Sequence, residues 1–450
     1  LELVEAVLVR GLGGGGDLAA AHHPRPKKRR MKVRQGALEE ALSGLDYGAG
    51  VRLFFGTEVV YAYTNDLTQE GLMEALETLL RAKGGLDFRK ATPKGLHAPK
   101  VPYGEKDKRY RLERLLEAEA GARIAPAIKQ VEASLLEWEE EVLVANTEGV
   151  FAEEKRVRTR LFVLAVAQDG AEVQTGYSAP GKSVGLELFD LYPPKAVGEK
   201  AARQALTNLK ARPAPAGTFP VVVGPGFGGV LFHEAVGHLL ETTSVARKAS
   251  VLADKLGEVV ASPAVTYIDD GTLPHAWGST EMDDEGRPTE RTVLIEKGVL
   301  KSYMVDRLGH LLTGYPMTGS GRRQDYTFAP TSRMRNTFLA PGEARVEDLF
   351  AGIAFGLYAK EMGGGQVKPG SGEYNFAVQE GYIIRKGRIE EPVRGAMLVG
   401  KGPETLMRVV AVAQDLENAP GMCGSLSGAV PVEVGQPHVL VSEIVVGGRA

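Results

Sequence analysis

The chain has 450 residues, 43% of them hydrophobic and 25% charged, with 54 basic against 57 acidic side chains for a formal net charge of −3. These values exclude a disordered or fibrous chain, give no basic excess of the kind that marks nucleic-acid binding, and predict two or more folded domains. No stretch reaches the roughly 20 uninterrupted apolar residues of a bilayer-spanning helix, and the one cysteine, Cys423, cannot close an intrachain disulfide, so a soluble cytoplasmic protein is expected.

Residues 1–10 read as a short helix without the cationic start and long apolar run of a signal peptide, so export is not expected, and Gly11 to Gly16 break that helix. From Asp17 to Asn65, short runs of Val, Leu, Phe and Tyr punctuated by Gly and Asp predict an antiparallel meander. Within it, His22-His-Pro-Arg-Pro-Lys-Lys-Arg-Arg30 reads as a solvated hairpin tip in preference to a nucleic-acid patch. Thr68 caps a helix over 67–83, where Leu72, Leu76, Leu79 and Leu80 recur at helical spacing and Gly84 follows the end. Pro93, Pro99 and Pro102 mark an exposed connection over 91–108. Helices at 108–120 and 126–132, strands at 141–145 and 160–167, and a helix at 198–210 come next, before a linker, Arg212-Pro-Ala-Pro-Ala-Gly217. Glycine-rich strands and tight turns fill the rest.

The fold class expected is therefore α+β in two domains. Residues 1–216 form an N-terminal region of antiparallel meanders with helices, divisible into 1–104 and 105–216, and residues 217–450 form a β-rich C-terminal domain.

Chemistry concentrates just after the linker. Phe219-Pro-Val-Val-Val223 reads as a strand, Gly224-Pro-Gly-Phe-Gly-Gly229 as a turn, and Val230 onward as a helix carrying His233-Glu-Ala-Val-Gly-His238. Two imidazoles flanking a carboxylate suit a hydrolytic zinc site, with His233 and His238 as ligands and Glu234 as the base for a water acidified by the metal. The spacing is one residue longer than in the common His-Glu-x-x-His pattern. Positions five apart lie about 140° from each other around a regular helix, against about 40° for four apart, so the backbone must depart from an ideal helix. A π-type widening at Gly237 is the expected device. The bland alternative is a pair of satisfied core or surface histidines.

A catalytic zinc takes three protein ligands, and the candidates for the third are Cys423, His275, His310, His438 and several carboxylates. Cys423 stands between glycines in Gly421-Met-Cys-Gly424, a loop-like setting; taken alone, a single cysteine is more often a buried small hydrophobe. Gly224, Gly226 and Gly229 also fit G-x-G-x-x-G, but no acidic residue at the end of a second strand follows about 20 positions on, which argues against a dinucleotide site and a dehydrogenase. Asp269, Asp270, Asp283 and Asp284 suit a second cation site or, equally, ordinary turns. Tyr374, Tyr382 and Arg394 are candidates to line a substrate channel.

His233 to Glu241, Gly421-Met-Cys-Gly424 and Gly435-Gln-Pro437 together resemble the TldD subunit of the TldD/PmbA (TldE) metallopeptidase family. Ala261-Ser-Pro263, Asp269-Asp-Gly-Thr-Leu273, Trp277-Gly-Ser279, Asp283-Asp-Glu-Gly286, Gly363-Gly-Gly-Gln-Val367 and Pro392-Val-Arg-Gly395 extend the resemblance over nearly all of the second domain. It implies a zinc-dependent peptidase whose metal is held by His233, His238 and Cys423, with Glu234 as general base. It also implies unfolded or extended peptide as substrate, and a dimer with a PmbA/TldE-like partner subunit or a second copy. The competing reading is a catalytically silent, zinc-stabilised interaction subunit; Glu234 argues against it, because a structural site needs no base.

Overall fold

In a computed structural model, residues 6–10, 18–77, 89–91 and 94–448 are described. Residues 6–10 are helical, while the rest of the expected first helix, the glycine run and the end of the helix expected over 67–83 lie outside the described residues.

The first sheet is built on three long antiparallel strands, β1 (Leu18–Arg34), β5 (Ile128–Asn146) and β6 (Val150–Asp169), with nine strands among the described residues. The others include β2 (Ala37–Leu45), β3 (Ala49–Phe55), β4 (Glu58–Thr64) and β7 (Glu172–Ser178). Between β4 and β5 lie α1 (Gln69–Glu77), whose Gly71 N–H is accepted by Thr68 Oγ1 at 3.1 Å, and α2 (Lys108–Ala122), capped by Asp107 accepting from Tyr110 N–H at 2.9 Å. The period-2 alternation of β5 turns Val131, Ala133 and Leu135 to one face. That face is covered by α2 and α3 (Pro194–Lys210) through Leu115, Ala118, Val197 and Ala201. The two helices touch closely, since a Cβ on Gly198 would come within 2.0 Å of the Ala118 carbonyl oxygen.

Two expectations for this half are corrected. Residues 126–132 are not helical: a turn leads into β5 at Ile128, because Val131 pairs with Ala165 of β6 and the apolar spacing serves a strand face. The basic segment 22–30 is not a hairpin tip. It lies inside β1, in register with β5, where Arg29 meets Glu137 at 3.5 Å and Lys28 sits over the Trp138 ring. In the connection after it, His97 and Tyr103 are buried, so that segment is less exposed than its prolines suggest.

The second half has two further sheets sharing one valine-rich core. In the first, β8 (Gly217–Val223) lies between β12 (Phe355–Lys368) and β18 (Val439–Gly447), and β13 (Glu373–Arg385) and β14 (Arg388–Arg394) continue beyond β12. The other runs from β10 (Arg291–Glu296) through β9 (Tyr267–Asp270) and β11 (Asn336–Leu339) to β17 (Gly428–Gln436) and, at its edge, β16 (Glu417–Ser425). Strands β16 and β17 form a hairpin closed by Leu426-Ser427, in which Cys423 faces Val430. Cys423 is thus on a strand, not in a loop.

The halves meet along β6. Arg156 pairs with Asp284 at 2.7 Å, Arg158 donates to the Trp277 carbonyl at 2.8 Å, and Arg160 donates to the Pro420 carbonyl at 3.2 Å. Among the described residues no helix is long and apolar enough to cross a membrane.

Candidate metal centre

Strand β8 feeds a glycine turn into α4 (Val230–Ala235), and the turn passes so close to β17 that a Cβ on Gly229 would come within 2.6 Å of the Gly435 backbone. The glycines here permit close packing against a strand and do not begin a dinucleotide unit. The helix runs only six residues. It stops at Val236 (φ −130°, ψ −47°), and a short 3₁₀ turn, Gly237–Leu240, resumes at a new angle. The expected π-type widening is therefore replaced by a clean break, one residue ahead of the expected position. Gly237 is needed for space: a Cβ there would lie 2.1 Å from the buried Met334 sulfur.

The break brings His233 and His238 to one side, with ring centroids 5.6 Å apart and planes at 80°. Cys423 Sγ reaches His238 Nε2 at 3.2 Å, and Glu234 Oε2 lies 3.4 Å from the same nitrogen. One donor atom from each of His233, Glu234, His238 and Cys423 falls within 4.8 Å of all the others, the sole such cluster among the described residues.

Each imidazole is oriented through its other nitrogen. His233 Nδ1 lies 2.8 Å from Thr337 Oγ1 on β11, and His238 Nδ1 lies 2.9 Å from Glu241 Oε2. Arg333, fully buried, donates to the Cys423 carbonyl and lies 3.9 Å from Glu241 Oε1, so one guanidinium braces both halves of the cluster. Thr337, Glu241 and Arg333 were not found from sequence. Glu241 alone left a trace, as an acidic side chain three residues beyond a histidine; Thr337 and Arg333 stand about a hundred residues downstream with no local pattern.

Two observations fit this cluster to a divalent metal. His233 Nε2 is buried without a hydrogen-bond partner, which is costly unless a ligand takes the lone pair. The donor set of two imidazoles, a thiol and a carboxylate also matches zinc preferences. Electrostatics agree. Burial alone would raise the Cys423 thiol, but the charges of His238 and His233 outweigh it and bring it down to about 5. Burial would also raise Glu234, yet its hydrogen bond to His238 and both imidazole charges hold it at about 2. Against burial, the charges of Glu241 and Cys423 raise His238 well above its ordinary value. The pocket thus concentrates negative charge and draws in positive charge.

The remaining candidates lie elsewhere. His275 sits beside His97, His310 Nδ1 lies 2.7 Å from the Tyr315 carbonyl, and His438 lies between Asp415 (2.7 Å) and Tyr358 Oη (2.8 Å). Asp269 accepts from Arg335 N–H, Asp270 from Thr272, Asp283 from three backbone N–H groups, and Asp284 pairs with Arg156. Turn bonds and ion pairs account for all four aspartates. Tyr374 is buried against Thr405 and Arg394 pairs with Glu172 at 3.0 Å. Tyr382 borders a cleft of about 1480 Å³ between the halves, whose floor includes Phe227 just before α4 and Glu417 to Pro420 of β16.

Comparison with known proteins defines the class. The chain belongs to the PmbA/TldA metallopeptidase family, whose sequence profiles match it as domain 1 over residues 27–83, the central domain over 100–209 and the C-terminal domain over 216–448. Within that family it stands with the TldD proteins. It is 37% identical to the "Metalloprotease TldD homolog" of Haemophilus influenzae, over 92% of this chain and 90% of that one. The "Zinc metalloprotease TldD homolog" of Saccharolobus solfataricus is 31% identical over 64% of each chain. In fold, the crystal structure of TldE from Thermococcus kodakarensis superposes with a TM-score of 0.77 at 19% identity, covering 96% of this chain and 97% of that one. The α+β fold read from sequence agrees with this architecture, and the relatives' names support a peptidase-type function.

Proposed function

We propose that this chain is a zinc-dependent peptidase in which His233, His238 and Cys423 hold the metal and Glu234 is the general base. The observation that carries the reading is the convergence of two imidazoles and a distant thiol with a half-exposed carboxylate, one imidazole nitrogen being buried and unpartnered. When bound, zinc supplies a Lewis acid that polarises the scissile carbonyl and acidifies water. The protein does the rest. Thr337 and Glu241 fix the imidazole orientations, Arg333 fixes the Cys423 backbone, and Glu234, ionised at neutral pH, accepts a proton from water and returns it to the leaving amine. Glu234 is assigned as base and not fourth ligand because its side chain is the more open, 27% exposed against 16% for His238.

Unfolded or extended peptide is the substrate class we assign, and the chain acts in a dimer with a TldE-like subunit or a second copy; the resemblance supports both, and the TldE neighbour and shared family support the pairing alone. We retain a division at residues 1–216 and 217–450. The test is zinc content and peptide hydrolysis of native protein beside Cys423→Ala. The variant should lose most of both, and full zinc with full activity would remove Cys423 from the ligand set.

A further inference from the structure

Five arginines gather where the two halves meet, and the peptidase chemistry uses none of them. Arg156 and Arg158 of β6 face Arg322, Arg323 and Arg335 across a small internal cavity of about 20 Å³, which Trp138, Glu140 and Asp284 also border. All five guanidinium groups are buried. Among the described residues, Arg156 alone of the five forms ion pairs, with Glu154 at 3.0 Å and Asp284 at 2.7 Å. The other four spend their N–H groups on neutral acceptors. Arg158 donates to the Trp277 carbonyl, Arg322 to those of Met334 and Pro431, Arg335 to the Gly319 carbonyl and Thr280 Oγ1, and Arg323 to Tyr61 Oη and the Asp284 carbonyl. Such acceptors satisfy hydrogen bonds without cancelling charge. Five guanidinium groups and two carboxylates, Glu140 and Asp284, line the wall itself, while Glu154 stands behind it against Arg156 and Asp269 and Asp283 against Arg335; the like charges therefore crowd one another at the cavity, which is costly in a low-dielectric interior.

A second observation points into the same space. Trp138 Nε1 and Arg323 Nε are buried donors without a hydrogen-bond partner, and both residues border the cavity. Donors left over beside crowded guanidinium groups call for an acceptor, and the repulsion among those groups favours one that carries negative charge. Burial and neighbouring like charge also hold Arg322 well below its ordinary value and bring Arg158 down to about 10. The space is that of one or two water molecules, which admits a monatomic anion and excludes phosphate or sulfate.

We propose that this cavity binds a single chloride ion, held by Trp138 Nε1 and the surrounding guanidinium groups, which ties the first sheet to the arginine-bearing segment 322–335 of the second half.

Crystals of the full chain grown with bromide replacing chloride supply the test, because bromide is located by its anomalous scattering. An anomalous peak bounded by Trp138 and Arg158 is expected. In solution, Tm should rise saturably by a few degrees when gluconate is exchanged for chloride at constant ionic strength. Trp138→Phe, which keeps the ring under Lys28 and Arg158 but removes the donor, should shift that rise to several-fold higher chloride. Water alone at the cavity after bromide exchange overturns the proposal, and so does a Tm that follows ionic strength regardless of the anion.

Discussion

Glu241 holds the ring of His238 from behind: its Oε2 lies 2.9 Å from Nδ1, so the opposite nitrogen is turned toward Cys423. The same carboxylate takes Met334 N–H on its other oxygen and faces the guanidinium that grips the Cys423 carbonyl. Such supporting carboxylates set tautomer and basicity, and their loss typically costs 10- to 100-fold in metal affinity. Glu241→Gln should weaken zinc binding by about that factor, as read by competition with a chromophoric chelator. Unchanged affinity would remove Glu241 from the support of the site.

Glu234→Gln separates chemistry from binding. The substitution preserves size and an acceptor oxygen but cannot take a proton. Zinc content should stay at the native level while kcat falls about 10²- to 10⁴-fold, the usual worth of a positioned general base. Turnover at the native rate would remove Glu234 as the base and place catalysis outside this site, as a silent zinc-stabilised subunit requires, and loss of zinc would make Glu234 a ligand.

Gly237→Ala tests the break that unites the histidines. The added methyl meets Met334 Sδ at 2.1 Å in a fully buried setting, so overpacking should destabilise by about 1–3 kcal/mol and displace the 3₁₀ turn bearing His238. Tm and zinc affinity should fall together. Adding Met334→Ala should restore the affinity, and failure of that rescue would dissociate Gly237 from the placement of His238.

Asp269 supplies a pH dependence. Burial pushes it up to about 6, against the Arg335 N–H bond and the charges of Arg335 and Arg322. Its folded-state value exceeds the unfolded one of about 4, so the native state binds the extra proton between these limits. Its contribution is complete below about pH 4 and is lost as pH rises through about 6. Relative to Asp269→Asn, which keeps an acceptor for Arg335 N–H, the native protein should lose about 3 kcal/mol across that window. Urea midpoints at several pH values would show it, and parallel curves for the two proteins would exclude it.

Much of this was readable before any coordinates, for physical reasons that differ by residue. Helices α2 and α3 were legible from helical patterning, although α3 begins at Pro194, ahead of the expected residue 198, and the strand, turn and helix around His233 followed from a valine run and a glycine cluster. The pair His233 and His238 identified itself by chemistry, whereas the manner of their meeting did not. Nothing local distinguishes a break at Val236 from a bulge at Gly237, and Met334, whose sulfur leaves no room for a side chain at 237, is distant in sequence. Cys423 stood out by resemblance, not by its neighbours. Thr337 and Arg333 serve the site through contacts across about a hundred residues, which no periodicity encodes. The stretch 126–132 misled because a few apolar residues suit a helix turn or a strand face alike until a partner strand decides.

The two-residue connection Leu426-Ser427 has an influence out of proportion to its size. Because side chains alternate along a strand, sliding β16 by a single step against β17 would present the thiol of Cys423 to the opposite surface, away from both imidazoles. Arg333 grips Ser427 Oγ and the Gly428 carbonyl as well as Cys423, so the guanidinium pins the loop length and the sulfur's side of the sheet in one gesture. An insertion of one amino acid there, only three residues beyond Cys423, would turn the sulfur away from both imidazoles and disarm the pocket proposed to hold the ion.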